Sequence, residues 1–128
     1  MEERIAAELI RSYVEGWKYK DTSRILQTLE DECEIVESHG PTYRGIKTIA
    51  KWIDQWFAEG STVDRWEVLS FFHAGNVSIF EWEFACTVQN ESYCFRGASV
   101  VEFRERISRI REYRMTAEPF DWTPFESG

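Results

Sequence analysis

The sequence is short of positive charge. Its 15 Lys and Arg residues stand against 23 Asp and Glu, a formal net charge of -8. So acidic a chain gains little from phosphate, which argues against nucleic acid as a partner. No apolar run approaches the roughly 18 residues of a membrane-spanning helix, so no membrane is expected either. The opening "MEERIAAELI" has neither the basic nor the apolar region of a secretory leader. Cysteine is scarce: Cys33, Cys86 and Cys94 are an odd number without CxxC spacing, which argues against a disulfide framework. Together these absences make the cytoplasm the expected compartment. Histidine occurs only as His39 and His73, and no HExxH word joins them. No metal is expected, and with GxGxxG and P-loop words also missing, no cofactor.

Aromatic residues are what the chain has in excess. Six Trp, five Tyr and nine Phe occur in 128 residues. That length suits one domain, 1–128. So many rings can line a cavity as well as fill a core.

The periodicity changes along the chain. Ile5, Leu9, Tyr13 and Trp17 recur at helical spacing, with Ile10 and Val14 widening the stripe. "KDTSRILQTLEDE" predicts a second short helix, capped by Asp21 or Thr22, with Ile25, Leu26 and Leu29 on its apolar face. "CEIVES" alternates like a strand, and "HGPTYRG" turns the chain. Residues 46–59 predict a third helix, with Ile49, Trp52, Ile53, Trp56 and Phe57 on one face and Gly60 as its stop. The remainder predicts long strands. In "VSIFEWEFACTV", Phe80, Trp82, Phe84, Cys86 and Val88 point one way, Glu81 and Glu83 the other. A "QNES" hairpin and two further strands follow. From about 117 the tail "PFDWTPFESG" is irregular, and its Phe120, Trp122 and Phe125 are expected to dock on the body or on a partner.

Helices followed by strands indicate an α+β fold. Three N-terminal helices are expected to pack in a strongly curved mixed or antiparallel sheet, making a cone with an opening at one end. One wetter sheet face is left over, broad enough for a homodimer partner.

The words "YVEGWKYKDTSRILQTLEDECEIVES", "YRGIKTIAKWIDQWF", "FRGASVVEFRE" and "RIREYRM", in that order, resemble the SnoaL-like branch of the nuclear transport factor 2-like (NTF2-like) superfamily. The resemblance spans about residues 5–116. It implies a cone-shaped fold with a deep pocket, often dimeric, shared by isomerases, polyketide cyclases, epoxide hydrolases, dehydratases and non-catalytic binding proteins. It also implies roles for single positions. Tyr13 matches a first-helix tyrosine that contributes to the oxyanion hole of ketosteroid isomerases. Ser38 stands where such enzymes carry their basic aspartate. Ser99 stands where they carry a second acid, and Met115 where SnoaL-like cyclases carry an aspartate.

The candidate chemistry follows from residue type. His39 has the right pKa range for proton transfer, and Glu37, two residues earlier, would share its face in an extended strand. Alternatively the strand ends near Ser38 and both residues are solvated. His73, at a strand end, reads as a surface residue. Cys86 and Cys94 flank a hairpin and could approach across it. The pocket candidates are Trp17, Tyr43, Trp52, Trp56, Phe80, Trp82, Ser99 and Glu112. Glu112 and Arg114 share parity on one strand, and Arg96, Glu102 and Arg104 on another. These charges read as a salt-laced outer face or, alternatively, as a buried pair that polarises a ligand.

Three functional readings follow. The first is a pocket protein of unassigned activity that binds a small hydrophobic or aromatic molecule. The second is an acid–base enzyme of isomerase, cyclase, dehydratase or epoxide hydrolase type, using Glu37, His39 and Tyr13. The third is a non-catalytic dimerisation domain.

Overall fold

A computed structural model of the chain describes residues 1–116. The tail expected to dock lies outside the described residues.

Helix α1, Glu3–Lys18, buries Ala6, Ile10, Tyr13, Val14, Gly16 and Trp17. Its buried stripe is turned from the expected one: Ile5 is exposed and Ala6 is buried. Helix α2, Thr22–Gln27, is capped by the Asp21 side chain, which accepts from the Arg24 N–H at 3.0 Å. This helix is shorter than its periodicity suggested. Leu29 belongs to strand β1, Leu29–Val36, where it is fully buried. An apolar residue beside a helix end fits either element locally, and here the β1 pairing with the last strand decides.

The "HGPTYRG" stretch holds more than a turn. Its second half is strand β2, Thr42–Arg44, which pairs antiparallel with β1. Helix α3, Ile46–Ala58, buries Ile49 and Ile53 and lays Trp52 and Trp56 beside them at partial exposure. Three long strands follow: β3 (Thr62–Ala74), β4 (Val77–Val88) and β5 (Glu91–Phe103). Between β4 and β5 the chain reverses on Gln89 and Asn90, at φ 52° and 66°. Two left-handed residues in a row match the twist of the flanking strands. Strand β6, Ile107–Arg114, completes the sheet.

The strand order is β2-β1-β6-β5-β4-β3. β1 runs parallel to β6, and the other neighbours are antiparallel. This corrects the expected cone. The sheet is open, not closed or strongly curled: β2 and β3 are its two edges and do not pair. A strand of three residues, already paired to β1, offers little ladder with which to close the sheet. Helices cover the inner face instead. Phe80, Trp82, Val101, Phe103 and Ile110 from the sheet pack with Ile10, Tyr13, Trp17, Ile49 and Ile53 from the helices in one core.

The outer face carries the charges. Glu83 pairs with Arg65 and Arg96, Glu34 with Arg44 and Arg109, and Glu102 with Arg109. Glu81 accepts from Ser70 there. Phe72, Val77 and Ile79 are exposed apolar neighbours on the same side. The hairpin cysteines do not meet. Cys86 stands opposite Tyr93, Cys94 opposite Ala85, so the two thiols lie on opposite faces.

Candidate functional site

Between the helices and the inner face of the sheet lies a cavity of about 520 Å³. Helix α1 contributes Tyr13 and Trp17; α3 contributes Trp52 and Trp56. Glu37, Ser38 and His39 come from the end of β1 and the turn after it. The sheet adds Val63 and Trp66 from β3, Trp82, Phe84, Cys86 and Val88 from β4, Tyr93 and Phe95 from β5, and Glu112 and Arg114 from β6.

The walls are aromatic and pack edge to face. Trp17 meets Trp52, Trp56 and Phe57 with centroids 5.2 to 5.5 Å apart. Trp66 contacts Tyr13, Trp82 and Phe84 in the same manner. Trp82 is anchored from behind: its indole N–H donates to the buried Ser99 Oγ at 2.9 Å. Gly97 makes room for its ring. A Cβ there would lie 2.6 Å from Trp82 Cη2 and collide with the Tyr113 carbonyl oxygen.

Against these walls stand few polar groups. Glu112 on β6 is one of them. It is half-buried and lines the cavity. Burial, with the charge of Glu37 added, pushes its pKa up to about 8. It therefore holds its proton at neutral pH. Burial also raises Glu37, while a hydrogen bond from Tyr43 and the nearby His39 pull it part of the way back. Two carboxyls that share an apolar cavity do not both ionise easily, so their titrations are coupled. The Tyr13 hydroxyl is raised well above its ordinary range, by burial first and then by Glu112. It stays a donor. The Trp17 indole N–H lies near it without forming a well-aligned hydrogen bond.

The structure places the sequence candidates unequally. Tyr13, Trp17, Glu37, His39, Trp52, Trp56, Trp82 and Glu112 all line the cavity. Tyr43 does not. It stacks on Trp52 at 4.2 Å and reaches Glu37 from the side, its own pKa raised to about 12, mainly by burial. Phe80 is core, and Ser99 supports Trp82 from outside the lining. Glu37 and His39 do not share a strand face. β1 ends at Val36, and the Glu37 N–H bonds the Pro41 carbonyl as a turn begins. His39 swings in from that turn, its Nδ1 3.9 Å from Glu37 Oε2, with its side chain 68% exposed. Met115 is exposed and lies outside the lining. His73 joins no site: its ring bonds Ser78 Oγ and the Met1 carbonyl.

Trp66 and Phe95 line the cavity although the sequence marked neither as a site candidate, and Arg114 lines it too, where the sequence left open a salt-laced outer face or a ligand-polarising pair. A signal existed for Arg114. It shares parity with Ile110 and Glu112, and the buried isoleucine marks the inner face. Among the described residues no cluster of His, Cys, Asp and Glu could hold a metal ion.

Residues 10–113 match the model of the SnoaL-like domain. The chain belongs to this family. The SnoaL-like domain found here falls in the nuclear transport factor 2-like superfamily, and solved structures agree on the fold. It is similar to a protein with a ketosteroid isomerase-like fold from Catenulispora acidiphila, solved with trimethylamine. That match has 18% identity and TM-score 0.73, over 91% of this chain and 98% of that one. It is similar to an LEH-like epoxide hydrolase of M. tuberculosis, with 15% identity and TM-score 0.78, over 86% of this chain and 82% of that one. An NTF2-like protein of unknown function from Burkholderia pseudomallei has 15% identity and TM-score 0.73, over 88% and 92%. At such identities the SnoaL-like domain shares a fold with them, not an activity. No curated protein matches the chain. No helix among the described residues is long and apolar enough to cross a membrane.

Proposed function

We propose that this SnoaL-like domain is an acid–base enzyme that moves a proton alpha to the carbonyl of a small, largely apolar substrate. One observation carries the reading. Glu112, Tyr13 and Glu37 line one aromatic cavity, and burial there pushes the Glu112 pKa up to about 8.

The roles divide by environment. Glu37, closer to solvent and partly stabilised by Tyr43 and His39, is the carboxylate that takes the α-proton. Negative charge then develops on the substrate oxygen. Tyr13 and protonated Glu112 donate hydrogen bonds to it from the aromatic cavity. Returning the proton to another carbon completes an isomerisation, and attack of the enolate on a second carbonyl closes a ring. Pairs of titratable groups pushed apart by their surroundings are how one site supplies both acid and base. His39 tunes Glu37 from the rim rather than acting itself.

The test is isotope exchange. 2-Tetralone in D2O, followed by proton NMR, should lose its α-protons faster with enzyme than without. Glu37→Gln should slow the enzymatic part about 100-fold or more, and Tyr13→Phe about 100-fold. If 2-tetralone and a panel of aryl ketones all exchange at the buffer rate, the reading fails.

The homodimer is proposed through the outer face, where Phe72, Val77 and Ile79 are exposed together. Sedimentation of wild type against Phe72→Glu decides it: a wild type that is monomeric at micromolar concentration removes the proposal.

A further inference from the structure

Among the described residues, the cavity lining carries one permanent cation, and no carboxylate holds it. Arg114 enters from the last position of β6. Its guanidinium lies 4.1 Å over the centroid of the Phe95 ring, another lining residue. Arg24, Arg44, Arg65, Arg96, Arg106 and Arg109 all pair with glutamates. Arg114 has no ion pair among the described residues, although the chain carries 23 acidic side chains against 15 basic ones. Arg11, Arg104 and Arg111 also lack an ion pair among the described residues, but none of them lines the cavity, so what sets Arg114 apart is its position. Contact with the Phe95 face leaves the N–H edge of the guanidinium able to donate.

The cavity acid on the same strand does not fill the role. Glu112 is two residues away on the same strand and shares its face, yet it stays protonated at neutral pH and puts no negative charge against Arg114. The site thus combines flat aromatic walls, an uncharged donor pair at depth and a fixed cation at the exposed end of β6.

We propose that the substrate is a planar aromatic acid, its ring among Trp52, Trp56 and Trp82 and its anionic group on Arg114. This rests on the cavity being the site of the proton-transfer chemistry, and it names the substrate class for that chemistry. A carboxylate matches the fork of a guanidinium, which bonds both oxygens at once. Arg114 is exposed, so the anion keeps part of its hydration while the ring goes inward. The reacting carbonyl sits at the other end of the molecule, toward Tyr13 and Glu112. Arg114 is therefore a specificity residue, separate from the groups that move the proton. An organic cation would also suit aromatic faces, but it would meet the guanidinium at the rim.

The experiment is calorimetric titration at neutral pH and low salt with three isosteric probes: 2-naphthoate, 2-naphthamide and 2-naphthylmethylammonium. Wild type should bind the naphthoate about five- to tenfold tighter than the amide, with the ammonium weakest. Arg114→Gln should lower naphthoate affinity to that of the amide and leave amide binding unchanged. Arg114→Lys should keep part of the preference, and about 0.5 M salt should shrink it. Arg114 is exposed at a strand end, so neither variant threatens the fold. Equal binding of acid and amide overturns the proposal. So does tightest binding of the ammonium, no measurable binding of any probe, or an acid preference that survives in Arg114→Gln. These readouts need no turnover. Failure of isotope exchange would sink the proton-transfer reading while leaving the charge preference standing, and the reverse also holds.

Discussion

Ser99 on β5 stands directly across the ladder from Glu112 on β6. Residues paired in this way point to the same side of a sheet. The family resemblance places an acid at Ser99. This chain carries its buried carboxyl one strand over, at the same level of the sheet. Ser99 has taken a different task, accepting the Trp82 indole N–H at 2.9 Å.

Ser99→Ala should therefore cost stability rather than chemistry. It leaves a buried indole N–H unpaired, with an expected loss of about 1–3 kcal/mol. Urea unfolding followed by tryptophan fluorescence measures it. An unchanged midpoint would mean that Trp82 finds another acceptor.

Glu112 should make the fold sensitive to alkali. Its folded pKa of about 8 lies above the ordinary glutamate value of 4.5. Between those values the unfolded chain releases the proton and the folded chain keeps it. Stability from this group is thus full below about pH 4.5, declines as pH rises and levels off above about 8. The groups facing it are Tyr13 and Glu37, with Arg114 on its own strand. Glu112→Gln should remove the decline and gain on the order of 2 kcal/mol or more at pH 8.5. Parallel melting curves at pH 5 and pH 8.5 check the sign. A variant that gains equally at both pH values would contradict a raised pKa.

Gly97→Ala should be among the most damaging single changes. Its new methyl would lie 2.6 Å from Trp82 Cη2 and also strike the Tyr113 carbonyl oxygen, which belongs to the backbone and cannot step aside. Roughly 2–3 kcal/mol or more of destabilisation is expected. Soluble yield and thermal midpoint report it, and a wild-type midpoint would show that β5 and β6 can separate locally.

His39→Ala should leave stability within about 0.5 kcal/mol of wild type, because the side chain is exposed. It should act on Glu37 instead. His39 lowers the Glu37 pKa, so its loss moves the acidic limb of the rate profile to higher pH. A pH–rate profile for isotope exchange reads this. If the limb does not move, His39 has no electrostatic hold on the base.

Much of the fold was legible because its signals are local. The α3 stripe and the alternation Phe80, Trp82, Phe84, Cys86 needed no tertiary information. The site was legible in composition more than in position. Tryptophans at helical and strand spacing announced an aromatic wall, and several line the cavity. Two misreadings share one cause. The sequence puts Leu29 with α2 and "TYR" in a turn, since an apolar residue or a three-residue strand has no pattern of its own. Pairing of β1 with β6 and β2 decides both.

The one-dimensional pattern determines which residues alternate and which recur every turn, because those periods are properties of the backbone. That alone placed Glu112 and Arg114 on the same face as Ile110. It could not say that this face looks into a cavity, nor that the sheet stays open because β2 and β3 do not pair with each other. Those are long-range facts. The protonated state of Glu112 arises only when β6 is set among Tyr13, Glu37 and the tryptophans, since burial and a neighbouring charge shift a pKa and sequence distance does not.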